Sequence, residues 1–260
     1  MKHILRYSFS IALLVFGCTA QAQQTKTQTP AKKDSVTITP KKERYGVRIG
    51  VDLFKLSRSV YDSDYKGIEF VGDYRLTRKY YLAAEIGNEN KTTDEDQINF
   101  TTKGSYLRFG FDYNAHENWL DLENMIYVGL RYGISTFSQE LNSYKVYNPN
   151  PYFNESTDVG IGDKYSGLSA QWLEAVVGLK TQVFKNTFVG FSIRLSTLVA
   201  NNQPNGFENL YIPGFNKTYS GDFGFGFNYT VSYFLPLYKK QVKMDAKKSE
   251  NKDSGKKAKE

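Results

Sequence analysis

The sequence predicts an all-β fold: a transmembrane, antiparallel, up-and-down β-barrel of eight strands. Three observations predict it. Aromatic residues make up 15% of the 260, with 20 Tyr, 18 Phe and 21 Gly, a composition that favours strands broken by glycines over helices. Between Tyr45 and Tyr238, eight segments alternate apolar with polar or small residues at period two, as strands with two unlike faces do. The gaps between them run long and short in turn, as in bacterial barrels with long external loops and short periplasmic turns.

The segments before the barrel carry an export signature. Lys2, His3 and Arg6 precede an apolar run from Ser8 to Gly17 that is too short to span a bilayer, and Ala20-Gln21-Ala22 is a small-x-small cleavage site. Residues 1–22 are expected to be a signal peptide removed after Ala22. The alternative is lipoprotein processing at Cys18, although Phe16 is bulky where a lipobox usually holds a small residue. Cleaved after Ala22, the chain has no cysteine, and so neither a disulfide nor a thiol site. Residues 23–44 hold few apolar groups and are expected to be a disordered leader; the Lys-rich residues 239–260 are expected to be a disordered periplasmic tail. The barrel itself is expected over residues 45–238.

The net charge of +7 lies outside that barrel. The signal carries +2, the leader +4 and the tail +5, which leaves −4 for residues 45–238. Nucleic-acid binding therefore loses its main support. Outer-membrane lipid is the expected partner of the barrel, and the tail could touch anionic envelope components by charge alone.

The first segment, Tyr45 to Leu53, sets Tyr45, Val47, Ile49 and Val51 against Gly46, Arg48, Gly50 and Asp52. The second sets Ile68, Phe70, Tyr74 and Leu76 against Glu69, Val71, Asp73 and Arg75, and the third sets Tyr80, Leu82, Ala84 and Ile86 against Tyr81, Glu85 and Gly87. In the fourth, Leu107, Phe109, Phe111 and Tyr113 oppose Arg108, Gly110, Asp112 and Asn114. In the fifth, Ile126 to Ile134 oppose Tyr127, Gly129, Arg131 and Gly133. The sixth opposes Leu173, Ala175, Val177 and Leu179 to Trp172, Glu174, Gly178 and Lys180, and the seventh opposes Val189 to Leu195 to Gly190, Ser192 and Arg194. The last sets Phe223, Phe225, Phe227, Tyr229, Val231 and Tyr233 against Gly224, Gly226, Asn228, Thr230 and Ser232. Long gaps fall at 54–67, 88–105, 138–170 and 198–221, short ones at 77–79 and 184–187, and a medium one at 115–124.

Volume decides which face meets lipid. An eight-stranded barrel has an interior just wide enough for side chains to fill, and more than thirty large apolar groups would overfill it, so the apolar face points outward. The opposite face then lines the lumen. It carries Arg48, Arg75, Arg108, Arg131, Lys180 and Arg194 against Asp52, Glu69, Asp73, Glu85, Asp112 and Glu174, six charges of each sign, which predicts a structural network of ion pairs. Tyr45, Tyr80, Tyr106, Tyr113, Tyr132, Trp172, Tyr233 and Tyr238 sit near segment ends, where an interfacial aromatic girdle is expected.

Tyr45-Gly46-Val47-Arg48-Ile49-Gly50-Val51-Asp52, Glu69-Phe70-Val71-Gly72-Asp73-Tyr74-Arg75 and Trp172-Leu173-Glu174-Ala175-Val176-Val177-Gly178-Leu179-Lys180 resemble the uncharacterised outer-membrane family known as domain of unknown function 6048. The likeness continues through Gly224-Phe225-Gly226-Phe227-Asn228-Tyr229 and implies a membrane location with no assigned activity. In shape the chain also resembles small OmpA-type barrels. Its last strand looks like the signal read by the outer-membrane assembly machinery, an expected partner, although the chain continues beyond Tyr238 where many such proteins end.

No constellation points to catalysis. After cleavage one histidine remains, His116 beside Glu117 in a predicted turn, and a solvated histidine is the expected state. Asp94-Glu95-Asp96 and the acids from Asp158 to Asp163 lack the ligand spacing of a calcium loop. Gly224 and Gly226 alternate along a strand with no following Lys-Ser/Thr, so they form no phosphate loop; they are expected to make room for inward charges. No cofactor, metal or enzymatic activity is expected. External loops such as Tyr144 to Tyr152, rich in Tyr, Asn and Pro, suit surface binding or envelope anchoring. A narrow ion or small-solute channel and a soluble lipocalin-like ligand-binding barrel are the alternatives.

Overall fold

The computed structural model describes residues 41–116, 123–145, 159–204, 208–217 and 222–242. In chain order the elements are β1 (Lys41–Asp52), α1 (Leu53–Tyr61), β2 (Tyr65–Arg75), β3 (Tyr80–Glu95), β4 (Ile98–Asn114), β5 (Met125–Tyr144), β6 (Val159–Phe184), β7 (Thr187–Asn202), β8 (Tyr211–Ile212), β9 (Asn216–Lys217) and β10 (Phe223–Val242). Eight strands close a barrel in the order β1-β10-β7-β6-β5-β4-β3-β2, with every neighbour antiparallel, while β8 and β9 form a separate hairpin. Closure leaves no free edge around the ring, which is what a membrane-spanning sheet requires.

Alternation sets the two faces. Phe109, Phe191 and Phe225 are 46%, 41% and 58% exposed, whereas a lipocalin-like barrel would hold them in its centre. Among the described residues 35 large apolar side chains are exposed, far more than a soluble surface carries in one belt. The buried set is instead dominated by charged, amide and hydroxyl side chains. The molecule is thus polar inside and apolar outside, a transmembrane β-barrel of the outer-membrane type.

Several expectations need correction. The spans 88–105 and 138–170 are mostly strand: β3 and β4 run up to a tight turn at Asp96 and Gln97, and β5 and β6 continue to Tyr144 and from Val159. Beyond the bilayer a strand no longer needs an apolar face, so the period-two signal stops before the hydrogen-bonded ladder does. For the same reason β1 begins at Lys41 and β10 ends at Val242, with Lys41 to Arg44 paired to Val242 to Lys239, so strand extends into both the expected leader and the expected tail. The rest of the leader, the signal segment and the tail from residue 243 lie outside the described residues. So do Glu117, Trp119, Leu120, Asp158 and residues 146–152.

The gap at 54–67 holds α1. Asp52 caps it, its Oδ1 accepting the Phe54 N–H at 2.7 Å. β1 stops pairing with β10 at Thr230 and with β2 at Phe70, yet both neighbours continue, and α1 packs against the two of them. Phe54 meets the rings of Phe227 and Tyr229 on one side. On the other, the Ser59 hydroxyl accepts the Gly67 N–H at 2.8 Å and donates to the Gly67 C=O at 3.1 Å, standing in for a strand neighbour.

Of the expected girdle, Tyr80, Tyr113, Tyr132, Tyr233 and Tyr238 keep exposed surface. Tyr45 is buried because it stacks on Tyr238 and lies under the Arg75 guanidinium at a bulge. Tyr106 and Trp172 are inside the barrel. Each lies directly across from a glycine, Gly87 and Gly133, where a Cβ would sit 2.3 Å and 2.1 Å from the ring. Those glycines are what admit large rings into a narrow lumen.

Candidate functional site

The lumen is the most organised site in the chain, and alternation builds it: every second residue of eight strands points at one axis. At the end where the short turns lie, Arg75 reaches Glu43 at 3.0 Å and Arg44 reaches Glu123 at 2.9 Å, and Arg78 also binds Glu43. Above this rim Asp73 joins Arg48 and Lys180, both at 2.7 Å. The Arg48 guanidinium also lies over the rings of Tyr81 and Phe188, which cover its remaining face.

The central tier is denser. Glu85 binds Arg194 at 2.6 Å and Arg108 at 2.8 Å, with Arg131 at 3.6 Å. Arg131 reaches Asp112 at 2.7 Å, and Glu174 lies 3.1 Å from Arg108 as an ion pair and accepts the Trp172 indole N–H at 2.7 Å. Glu69 takes Arg108 at 3.1 Å and the Tyr106 hydroxyl at 2.5 Å. Of the twelve lumen charges read from the sequence, the structure brings Glu69, Glu85, Arg108, Asp112, Arg131, Glu174 and Arg194 into this one cluster. Arg48, Asp73 and Lys180 form the tier below it, and Arg75 stands at the rim. Asp52 joins no ion pair among the described residues and serves as the helix cap.

Two charges escaped the sequence reading. Lys55 enters from α1, and Glu89 lies on β3 one alternation beyond Gly87; they pair at 2.5 Å, and Lys55 also binds Glu69 at 2.8 Å. The pair keeps the lumen balanced, now at seven of each sign. Glu89 could have been found by carrying the alternation of the third segment onward, whereas Lys55 belongs to no strand and left no such signal.

Glu89 is the anchor of a plug. The gap at 198–221 was expected to be an external loop, but its β8–β9 hairpin turns into the barrel, with Tyr211, Ile212 and Phe215 buried. Glu89 accepts the Tyr211 hydroxyl at 2.7 Å, the Tyr65 hydroxyl at 3.1 Å and the Gly214 N–H at 3.0 Å, while Arg108 donates to the Gly214 C=O at 2.6 Å. Burial, then the Glu89 carboxylate, push the Tyr211 hydroxyl well above its ordinary range. Gly214 has φ +84, a left-handed conformation that glycine adopts freely. Ile212 and Phe215 complete an apolar cluster with Tyr106, Phe137, Leu168, Ala170 and Trp172. Gly224 makes room for this hairpin, its Cβ position 3.0 Å from the Phe215 ring, and not for a charge as expected, while Gly226 stands opposite Arg194 in register.

Two small cavities lie among the described residues of the lumen. One cavity of about 40 Å³ lies between α1, β10 and the hairpin, bounded by Asp52, Lys55, Glu69 and Phe227, and another of about 20 Å³ lies beside Asp73 and Lys180. Each has room for a few water molecules at most. Elsewhere, His116 donates its backbone N–H to Asn114 Oδ1 at 3.1 Å, and Asp94 accepts from Asn99 at 3.0 Å. Among the described residues no group of three or more His, Cys, Asp or Glu side chains is placed to hold a metal.

Comparison with curated proteins found no match. Among solved structures the chain is similar to Ail, the attachment invasion locus protein of Yersinia pestis, at 13% identity and a TM-score of 0.39, over 74% of this chain and 97% of that one. The family described as Domain of unknown function (DUF6048) matches residues 4–240, nearly the whole chain and every strand of the barrel, and the chain belongs to that family.

Proposed function

We propose that this outer-membrane barrel is a closed scaffold that works on its outer side, as a surface-binding or envelope-anchoring protein, and catalyses no reaction. The observation that carries this reading is the contrast between its two ends. Among the described residues the lumen is filled by paired charges and then by the hairpin, which supports a closed barrel over a channel. Strands β3 to β6, by contrast, run well past the apolar belt and hold up a four-stranded sheet with a hydrogen-bonded polar face, where Asn142 donates to Asn99 and Thr101 and Thr92 pairs with Thr101. Rigid strands that project beyond a membrane present side chains in fixed positions, which suits recognition.

Planar-bilayer recording with the purified protein separates this from the channel alternative: silence is expected, and a steady large conductance would overturn the closed-scaffold reading. Cells displaying a variant with residues 139–166 replaced by a short turn should keep the barrel and lose surface binding. Full retention of binding by that variant would refute a role for the projecting sheet.

A further inference from the structure

We infer that the outer face of β2 to β5, just above the apolar belt, is a docking surface for a phosphorylated glycolipid of the surrounding membrane. This is separate from whatever the distal end of the sheet binds. The argument rests on the order of chemistries along the strands. Register places Phe70, Ile86, Leu107 and Ile134 side by side as the last apolar row shared by these four strands. The next outward row is Ile68, Asn88, Ser105 and Thr136, and the one after it is Lys66, Asn90, Lys103 and Ser138. Lys66 and Lys103 are exposed, and neither forms an ion pair among the described residues.

No carboxylate occurs in these three rows. The next row outward is Asp64, Thr92, Thr101 and Glu140, so the first carboxylates flank the lysines on their distal side, with Glu140 opposite Lys164 in register. Beyond the lysines the face joins these acids to amides and hydroxyls, including Thr92 with Thr101, Asn142 with Asn99 and Asn99 with Asp94. Moving outward, the face therefore presents apolar groups, then unpaired cations, then hydrogen-bonding groups. A phosphorylated glycolipid presents acyl chains, then phosphate, then sugar hydroxyls in the same order, so each layer meets its complement.

The geometry permits one lipid to span both lysines. They are two strands apart, roughly 10 Å at the usual strand spacing. Because barrel strands tilt, the row is oblique and the two Cα atoms differ in height, but lysine stems are long and flexible enough to bring both ammonium groups into one headgroup layer.

The full-length protein, folded in a zwitterionic detergent, is to be incubated with a bis-phosphorylated acylated disaccharide, its dephosphorylated counterpart, or phosphatidylglycerol, and bound lipid counted by native mass spectrometry. Wild type should retain the phosphorylated disaccharide at least tenfold better than either of the others. The Lys66→Glu/Lys103→Glu double variant should lose that preference, Lys66→Arg/Lys103→Arg should keep it, and Lys164→Glu, outside the lysine row, should leave it unchanged. Equal retention of all three lipids by wild type, or undiminished retention by a folded charge-reversal variant, would overturn the inference. The three-lipid comparison on wild type decides the matter even if the double variant fails to fold.

Discussion

At the scale of single residues, Glu89 bears the most. Its carboxylate holds Lys55, two tyrosine hydroxyls and the Gly214 amide at once. Glu89→Ala removes the acceptor for all four and leaves Lys55 half-neutralised in the lumen, so a loss of about 3–5 kcal/mol is expected, read as a lower temperature for the shift from the fast-migrating folded band to the unfolded one on a gel. Gly214→Val adds a β-branched side chain at positive φ, where a Cβ would stand 2.5 Å from the Tyr106 ring, and should loosen the hairpin without opening the strands. The lumen charges within the strands were legible because period-two alternation assigns each one a face before any coordinates are known. Lys55 was not, because its inward direction depends on where β1 stops and a helix begins. Trp172 was read both as lumen-facing and as part of the girdle, and only the pairing with Gly133 decides for the lumen.

At the scale of elements, strands and plug make different predictions. Phe109→Arg places a guanidinium on the lipid face near mid-belt and should cost about 2–4 kcal/mol, measured as reduced stability in bilayers of defined thickness. The hairpin is tested by fluorescence. In a Trp119→Phe background Trp172 is the sole indole; its emission should be blue and resistant to iodide, and should turn red and quenchable once residues 208–217 are replaced by a short glycine linker. Unaltered emission after that replacement would mean that the hairpin does not cover Trp172. Strand existence could be read from the chain, but strand ends could not, since alternation reports lipid contact and the ladder outlasts it at both ends. The plug was invisible for a related reason: Tyr211, Ile212 and Phe215 are too few and too irregular to show a period, and their burial depends on a cavity made by other strands.

At the scale of the whole molecule, the inversion of polarity governs behaviour. A protein with its charges inside and its apolar groups outside should stay with membranes through alkaline carbonate and show heat-dependent migration on gels. Release by carbonate would be incompatible with the outward belt. The eight-strand ring, the belt and the balanced lumen were all readable from composition, alternation and gap length, because each is a property summed over many residues. The interruption of the barrel wall was not, because it arises at one place.

That place is the helix between β10 and β2. Around the middle of the ring, adjacent staves of the cylinder are joined by main-chain hydrogen bonds, but beside α1 the join consists of Ser59 against Gly67, Phe54 against two rings, and the Lys55 tether. Outward-facing main-chain amides of Phe223 to Tyr229 and of Tyr65 to Glu69 on that side should therefore exchange with deuterium earlier than those of β4 and β5, and Ser59→Ala should hasten it. The first lasting breach in this wall would then form lengthwise at the helix and not at either mouth, laying the charges within open from the side.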